Sequence, residues 1–336
     1  MPNFWKNIQT PVFMLAPMED VTDTVFREIV LSVSQPEVLQ VVFTEFVSTD
    51  GLASKQGYDA VARRLEVNAT ENEILRERGA KLVVQIWGND PEKNFKAARH
   101  LEQLGRFDGI DINMGCPVKK VVKKGCCSAL IATPGLAKEI IQACHEGTSL
   151  PVSVKTRIGL KEIATEAWIG HLLETPITAL TIHGRTQKLQ SNGEADWDEI
   201  ALAVKLRDLS GRQIPVFGNG DVRSYGDGIQ RIRQYGVDGI MVGRGIFHNP
   251  WLFRNDEVSP SIDARLNLLL KHIELYDATW GEHKPFEPLK RFLKIYISGF
   301  RGAAEMRNQL MNMSQSADAV RFVRSERNVR LDTLSA

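Results

Sequence analysis

Eight short apolar runs rich in β-branched residues, each ending in polar or glycine-rich positions and each followed by a helix-like stretch, predict an α/β chain built as a (β/α)8 TIM barrel. A strandless remainder after the eighth run predicts an appended C-terminal helical domain. The length agrees, because such a barrel takes about 250 residues and the chain has 336. With 43% hydrophobic and 25% charged residues, the composition belongs to a globular protein and excludes wholesale disorder or a fibrous repeat.

In order, the runs are Val12 to Met18, Val41 to Phe46, Leu82 to Gly88, Gly109 to Gly115, Pro151 to Gly159, Ala179 to Thr186, Pro215 to Asp221 and Gly239 to Gly245. Strands buried on both faces read as continuous apolar runs of this kind. Between them, Asp23 to Val33, Pro91 to Leu104, Pro134 to Glu146, Trp197 to Leu209 and Ser224 to Tyr235 have helical amphipathicity. The remainder is helical in pattern over Arg265 to Tyr276, Pro288 to Phe300 and Ala303 to Met313, with breaks at Gly281, Pro285, Gly299 and Gly302. The expected division is a barrel domain over 1–255 and a helical domain over 256–336.

Four cysteines, Cys116, Cys126, Cys127 and Cys144, contain no C-x-x-C pair. They suit a reducing compartment and give no reason to expect a disulfide framework or a metal. The start, Met-Pro-Asn-Phe-Trp-Lys, lacks a basic segment leading into an apolar one, and no apolar run approaches the ~20 residues that span a bilayer. A cytoplasmic protein with no membrane contact is expected, acting as a monomer since nothing demands a protein partner. The net charge of +1 conceals an asymmetry, because residues 284–330 hold ten Lys and Arg against four acids. Such a stretch is either a solvated helix surface or a contact for a polyanion.

Barrel enzymes build their sites at the C-terminal ends of the strands, so the polar residues closing each run are the candidates. They are Pro17 and Met18, Glu45, Gln85, Asn113 with Cys116, Lys155 with Arg157, His183 with Arg185, Asn219 with Asp221, and Gly243 with Arg244. The glycine turns Gly218-Asn219-Gly220-Asp221 and Gly243-Arg244-Gly245 close the seventh and eighth runs, where backbone N–H groups can approach a phosphate. Lys155 suits a Schiff base or a fixed cation beside an electron-rich ring. Arg157, on the same strand face, favours the second, because two cations together suit an anionic partner. His183 suits a proton carrier, a hydrogen-bond donor to a ring carbonyl or a structural role. Cys116, between Gly115 and Pro117, suits a general acid or, with a depressed pKa, a nucleophile.

Read together, several segments resemble the tRNA-dihydrouridine synthase family. They are Ala16-Pro17-Met18 with Val21-Thr22-Asp23 and Phe26-Arg27, Asn113-Met114-Gly115-Cys116-Pro117 with Gly125 and Ala129-Leu130, and Val154-Lys155 with Arg157. They continue with His183-Gly184-Arg185-Thr186, Gly193 with Ala195-Asp196-Trp197, Asn219-Gly220-Asp221 and Gly243-Arg244-Gly245. The resemblance implies FMN in the barrel mouth, NADPH as reductant and tRNA as partner, with a uridine of the D-loop flipped onto the flavin. It implies hydride transfer from flavin N5 to uracil C6 and protonation of C5 by Cys116 from the other face. Pro17, Met18, Gln85, Lys155 and His183 would then contact the flavin ring, and Asn219, Gly220, Asp221, Gly243 and Arg244 its phosphate. Asn113, Arg157 and Arg185 would line the uridine side, and tail cations such as Lys290, Arg291, Arg324 and Arg327 would follow the RNA backbone. Two departures stand out: Ser191 occupies a position where the family commonly has tyrosine, and Cys126-Cys127 replaces the usual small residues. Competing readings are a flavin barrel acting on a free pyrimidine and an RNA-binding protein without turnover.

Overall fold

In a computed structural model, which describes residues 3–256, 259–281 and 283–335 and side chains as far as residue 330, the eight runs form eight parallel strands. Met1 and Pro2 of the N-terminal stretch read above, and Ala336 at the tail's end, lie outside the described residues. The strands are β1 (Val12–Leu15), β2 (Leu39–Ser48), β3 (Lys81–Trp87), β4 (Gly109–Met114), β5 (Val152–Arg157), β6 (Leu180–His183), β7 (Val216–Asn219) and β8 (Gly239–Val242). They pair in sequence order and close through β1 against β8. Most strands stop earlier than the apolar run that marks them, because the last residues of each run turn outward as loop. Pro17, Met18, Asp221 and Gly243 are therefore rim residues rather than strand residues.

The register carries the functional information. Asn113 of β4 lies opposite Lys155 of β5, and Arg157 of β5 lies opposite His183 of β6, which lies opposite Asn219 of β7. Five of the candidate positions thus meet at adjacent strand ends as a result of pairing alone.

Inside the barrel, Val12, Met14, Val41, Phe43, Val83, Phe217 and Met241 pack together. Trp5, from the 3-10 turn Phe4–Lys6, adds its ring 5.3 Å from that of Phe217 and closes the floor. Outside, the strands are covered by the helices Thr24–Val33, Pro91–Gln103, Pro134–Gly147, Thr165–Leu173, Trp197–Leu209 and Tyr225–Tyr235. Asp23, Asp90, Asp196 and Ser224 cap four of these by accepting first-turn N–H groups, which fixes where each βα loop ends. Gly218 allows β7 to lie against the Trp197 ring, since a β-carbon there would meet that ring at 2.3 Å.

The tail forms helices at Ile262–Trp280, Leu293–Tyr296, Ala303–Met311 and Ser316–Ser335, with a 3-10 turn at Glu287–Phe292. The single helix expected over Pro288 to Phe300 is instead a 3-10 turn and one α-helical turn, which ends at Ile297 in a non-helical conformation. The tail shares its core with the barrel. Phe26 stacks on Phe292 with ring centroids 5.1 Å apart, and the Trp280 indole donates to Asp23 Oδ2 at 2.9 Å. No helix among the described residues is long and apolar enough to cross a membrane.

A buried ion pair anchors the first helix. Arg27 donates to both carboxylate oxygens of Glu71 and to the carbonyls of Thr22 and Glu66, and both side chains are fully buried. Removing one partner strands the other charge, so Arg27→Met should lower stability by about 3–5 kcal/mol. Urea unfolding checks this, and a loss under about 1 kcal/mol, the scale of exposed pairs, would assign the pair a negligible role.

Candidate active site

At the C-terminal ends of β1 and β5 to β8 a cavity of about 390 Å³ opens among Pro17, Met18, Lys155, Arg157, His183, Arg185, Asn219, Gly220, Asp221, Gly243 and Arg244. A larger hollow, about 580 Å³, lies at the opposite end among Phe4, Ile8, Lys81 and Asp108. Barrel active sites form where the strands end, so the smaller cavity is the candidate. Among the described residues no cluster of His, Cys, Asp and Glu is arranged to hold a metal.

The cavity is strongly cationic. Lys155 Nζ donates to Asn219 Oδ1 at 2.9 Å, and Asn219 Nδ2 is fixed in turn on the Met241 carbonyl at 2.8 Å. Burial, followed by the charge of Arg157, pulls the Lys155 ammonium down to about 7 despite the opposing Asp111 carboxylate. Burial and the charges of Lys155, Arg157, Arg185 and Arg244 hold His183 well below the ordinary histidine range, so its imidazole is neutral. Arg185 Nη1 donates to His183 Nε2 at 3.2 Å, which places the ring proton on Nδ1. A neutral ring in this tautomer suits the hydrogen-bond donor role.

Several residues expected to reach a ligand are engaged with the protein instead. Arg185, 1% exposed, donates to the carbonyls of Asn192 and Gly193 and bidentately to Asp221, besides His183. It organises the β6 and β7 loops while lining the cavity. The Asp221 carboxylate also accepts from the Ala195 N–H, and the residue sits at φ 57°. Its negative side chain would repel a phosphate, so only its backbone fits the cradle role. Arg157 donates from Nε to the Gly115 carbonyl at 2.6 Å and from Nη1 to the carbonyls of Thr186 and Gln190. It lines the cavity while tying the β4 loop to the β6 loop. Those partners are carbonyls distant in sequence, which leave no local signal.

Gln85 and Asn113 stand apart from the cavity lining. Gln85 donates to Asp111 and accepts from Asn113 Nδ2 at 2.9 Å, and it is wholly buried. Asn113 Oδ1 accepts the N–H groups of Gly115 and Cys116, so it staples the β4 loop rather than meeting a ring. Cys116 is held at that loop with its thiol lowered to about 7. A hydrogen bond from Cys127 is the main cause, aided by the Val118 N–H and Arg157 and opposed by burial and Glu19.

Comparison with known proteins now adds to this geometry. Residues 14–331 match the family model described as dihydrouridine synthase. A probable tRNA-dihydrouridine synthase 2 of Bacillus subtilis (strain 168) is 43% identical over 321 residues, covering 95% of this chain and 94% of that protein. The chain belongs to the dihydrouridine synthase family. A probable tRNA-dihydrouridine synthase of Staphylococcus aureus (strain Mu50) is 42% identical over 319 residues, covering 94% of this chain and 93% of that one. Among solved structures, a 2-naphthoyl-CoA reductase complexed with 2-naphthoyl-CoA aligns with TM-score 0.53 at 9% identity and shares the fold alone. The alignment covers 72% of this chain, which spans about half (49%) of that protein.

In this dihydrouridine synthase family member, Ser191 is exposed and lines the cavity mouth. The four tail cations fare unequally. Lys290 is turned inward: its ammonium donates to the Met311 carbonyl at 2.9 Å, lies 3.5 Å from Glu287 and its side chain is only 11% exposed. It is withdrawn from the expected RNA set. Arg324 pairs with Glu274 at 2.6 Å and Arg327 with Asp263 at 2.5 Å, so each arrives with its charge partly balanced. Arg291 remains exposed and reaches across to the Asp20 carbonyl at the barrel rim. A second basic element went unread in the sequence. Lys119, Lys120, Lys123 and Lys124 are all exposed on and beside the short helix Lys119–Val122, within eight residues of Cys116. The K-K-V-V-K-K pattern was the available signal.

Proposed function

We propose that this protein reduces a uridine of tRNA to 5,6-dihydrouridine, with FMN in the mouth cavity, NADPH as reductant and Cys116 as proton donor. The observation that carries the reading is the juxtaposition of a cationic cavity with an acidified thiol on the adjoining β4 loop. Family membership supplies the reaction class.

The residues present fit a flavin mononucleotide. Against the four cations around the neutral histidine stand two carboxylates, Asp221 paired with Arg185 and Arg244 and Asp111 coupled to Lys155, an excess of positive charge that a doubly negative phosphate and an electron-rich ring edge would balance. Gly243 lines the cavity with its backbone uncovered by a side chain, the atoms nearest to where a β-carbon would stand being Ala16 Cβ at 3.8 Å and Met18 Sδ at 4.0 Å. Backbone can therefore approach a phosphate there. When bound, FMN would carry the hydride from NADPH to C6 of the pyrimidine.

The protein supplies the remainder. Lys155 holds a positive charge against the ring edge, and Asn219 orients it. Neutral His183 donates from Nδ1. As negative charge develops on the uracil, Cys116 gives its proton to C5 and the thiolate left behind is stabilised by Arg157 and the Val118 N–H. Asn113, through the two N–H groups it accepts, keeps the loop at the geometry this transfer needs.

Residues 256–336 form the proposed RNA-facing domain, with Arg291, Arg324 and Arg327 as its backbone contacts and Lys119, Lys120, Lys123 and Lys124 as a second strip beside the mouth. On this reading the enzyme works as a cytoplasmic monomer. Purified protein that carries FMN, is bleached by NADPH and forms dihydrouridine in an unmodified tRNA transcript, detected by mass spectrometry, is the expected result. Bleaching without product on tRNA, but with product on free uracil or uridine, would favour a small-molecule reductase. No flavin and no product would leave a binding protein.

Changing the four loop lysines together to glutamine should weaken tRNA binding and flatten its dependence on log salt concentration by up to about three units. Filter binding over a salt series measures this. A slope equal to wild type would remove the strip from the interface.

A further inference from the structure

Cys127 is wholly buried at the start of the 3-10 turn Cys127–Ala132, with a backbone φ of 55°. Glycine takes that conformation freely and an L side chain takes it at a cost, so the position holds a β-carbon where backbone geometry alone would favour none. Its side chain packs in one small buried cluster with Cys116, Phe46 and Cys126. From the next residue, Ser128 Oγ donates to the Cys116 carbonyl at 2.8 Å. One turn thus bonds to the backbone of Cys116 and packs in the same cluster as its side chain.

We propose that Cys127 is a positioning residue for the proton donor, its thiol donating a hydrogen bond that orients the Cys116 sulfur and stabilises the thiolate left after proton transfer. The proposal rests on the reading of Cys116 as the acid.

A thiolate forming in an enclosed apolar site needs a donor close by, since water cannot serve it. Cys127 can be that donor at any physiological pH, because burial and the neighbouring Cys116 sulfur push its own pKa far up and keep its proton in place. The other groups bearing on Cys116 come from separate elements. The Val118 N–H and Arg157 favour its thiolate, Glu19 opposes it, and Lys155 is coupled to it through space. Cys126, the remaining thiol of the cluster, has its pKa raised by burial and Asp50. Of the groups that favour the thiolate, Cys127 is the largest contributor.

The test follows the Cys116 thiol directly. In the purified holoenzyme, the rate of iodoacetamide alkylation at Cys116, read by peptide mass spectrometry against pH, should inflect near 7. Cys127→Ala and Cys127→Gly should move that inflection upward by roughly one pH unit or more, and Cys127→Ser, which keeps a donor, should return most of the shift. The alkaline limb of dihydrouridine formation should move with it. In Cys127→Gly, relief of the positive-φ cost works against the cavity it leaves, and its melting temperature, measured alongside, separates an upward shift from unfolding. An unchanged inflection in both the Ala and Gly variants, or a Ser variant that behaves like Gly, would overturn the positioning role and leave Cys116 as the acid. Failure of the underlying reading shows elsewhere, as full product formation by Cys116→Ala.

Discussion

Cys116→Ala should form dihydrouridine about 10²–10⁴ times more slowly than wild type, the range in which loss of a general acid falls. It should still carry flavin and still be bleached by NADPH. The reason is spatial: Cys116 belongs to the β4 loop, outside the lining of the cavity that would hold the cofactor. Its thiol is acidified chiefly by Cys127 and the Val118 N–H, which stand outside that lining, and to a smaller extent by Arg157, which belongs to it, so losing the thiol removes no residue of the cationic pocket. Single-turnover reoxidation of the reduced enzyme by tRNA isolates the step. Reoxidation and product yield near wild type would mean that the proton comes from another group or from water.

Lys155→Met should weaken FMN binding by about 10- to 100-fold, which corresponds to the 1.5–3 kcal/mol of a hydrogen bond to a charged group. A pH dependence accompanies it. In the free protein the Lys155 ammonium is drawn down to about 7, and an anionic ring edge would raise it again. Below the free value the lysine is already protonated and affinity is flat. Between the free value and the raised, bound value a proton must be taken up, so affinity falls as pH rises. Fluorescence titration of the apoprotein with FMN on both sides of pH 7 should show this decline in wild type and lose it in Lys155→Met. An affinity independent of pH in wild type would place the lysine away from the negative edge.

The barrel was legible because its strands are buried on both faces, which leaves runs such as Leu82 to Gly88 almost free of polar residues. Helices exposed along most of their length were harder to read. Ala69–Arg78 is strongly charged with only Glu71 and Leu75 buried, and Ser316–Ser335 carries a short apolar stripe, so neither has the periodicity that marks Pro91–Gln103. At the candidate site, residue types pointed to strand ends at which the structure opens a cavity, and Lys155, His183 and Asn219 line it. What the sequence could not reveal was which donors were already committed. Arg157 bonds to the carbonyls of Gly115, Thr186 and Gln190 on other loops, and Arg185 to those of Asn192 and Gly193 besides the side chains of His183 and Asp221; a carbonyl has the same appearance in every residue. The inward turn of Lys290 is of the same kind, its acceptor being a carbonyl 21 residues away.

Trp5 seals the floor of the barrel, and that closure governs the order of events. With one end shut, a bound flavin has a single approach, and on the proposed reading both the dinucleotide that reduces it and the nucleic acid that reoxidises it must use that approach. On that reading the two would compete for it. Competition of this kind has each leave before the other enters, and turnover divides into two half-reactions with the electrons stored on the protein between them. Abundant RNA would then slow its own reduction by standing in the way of the reductant.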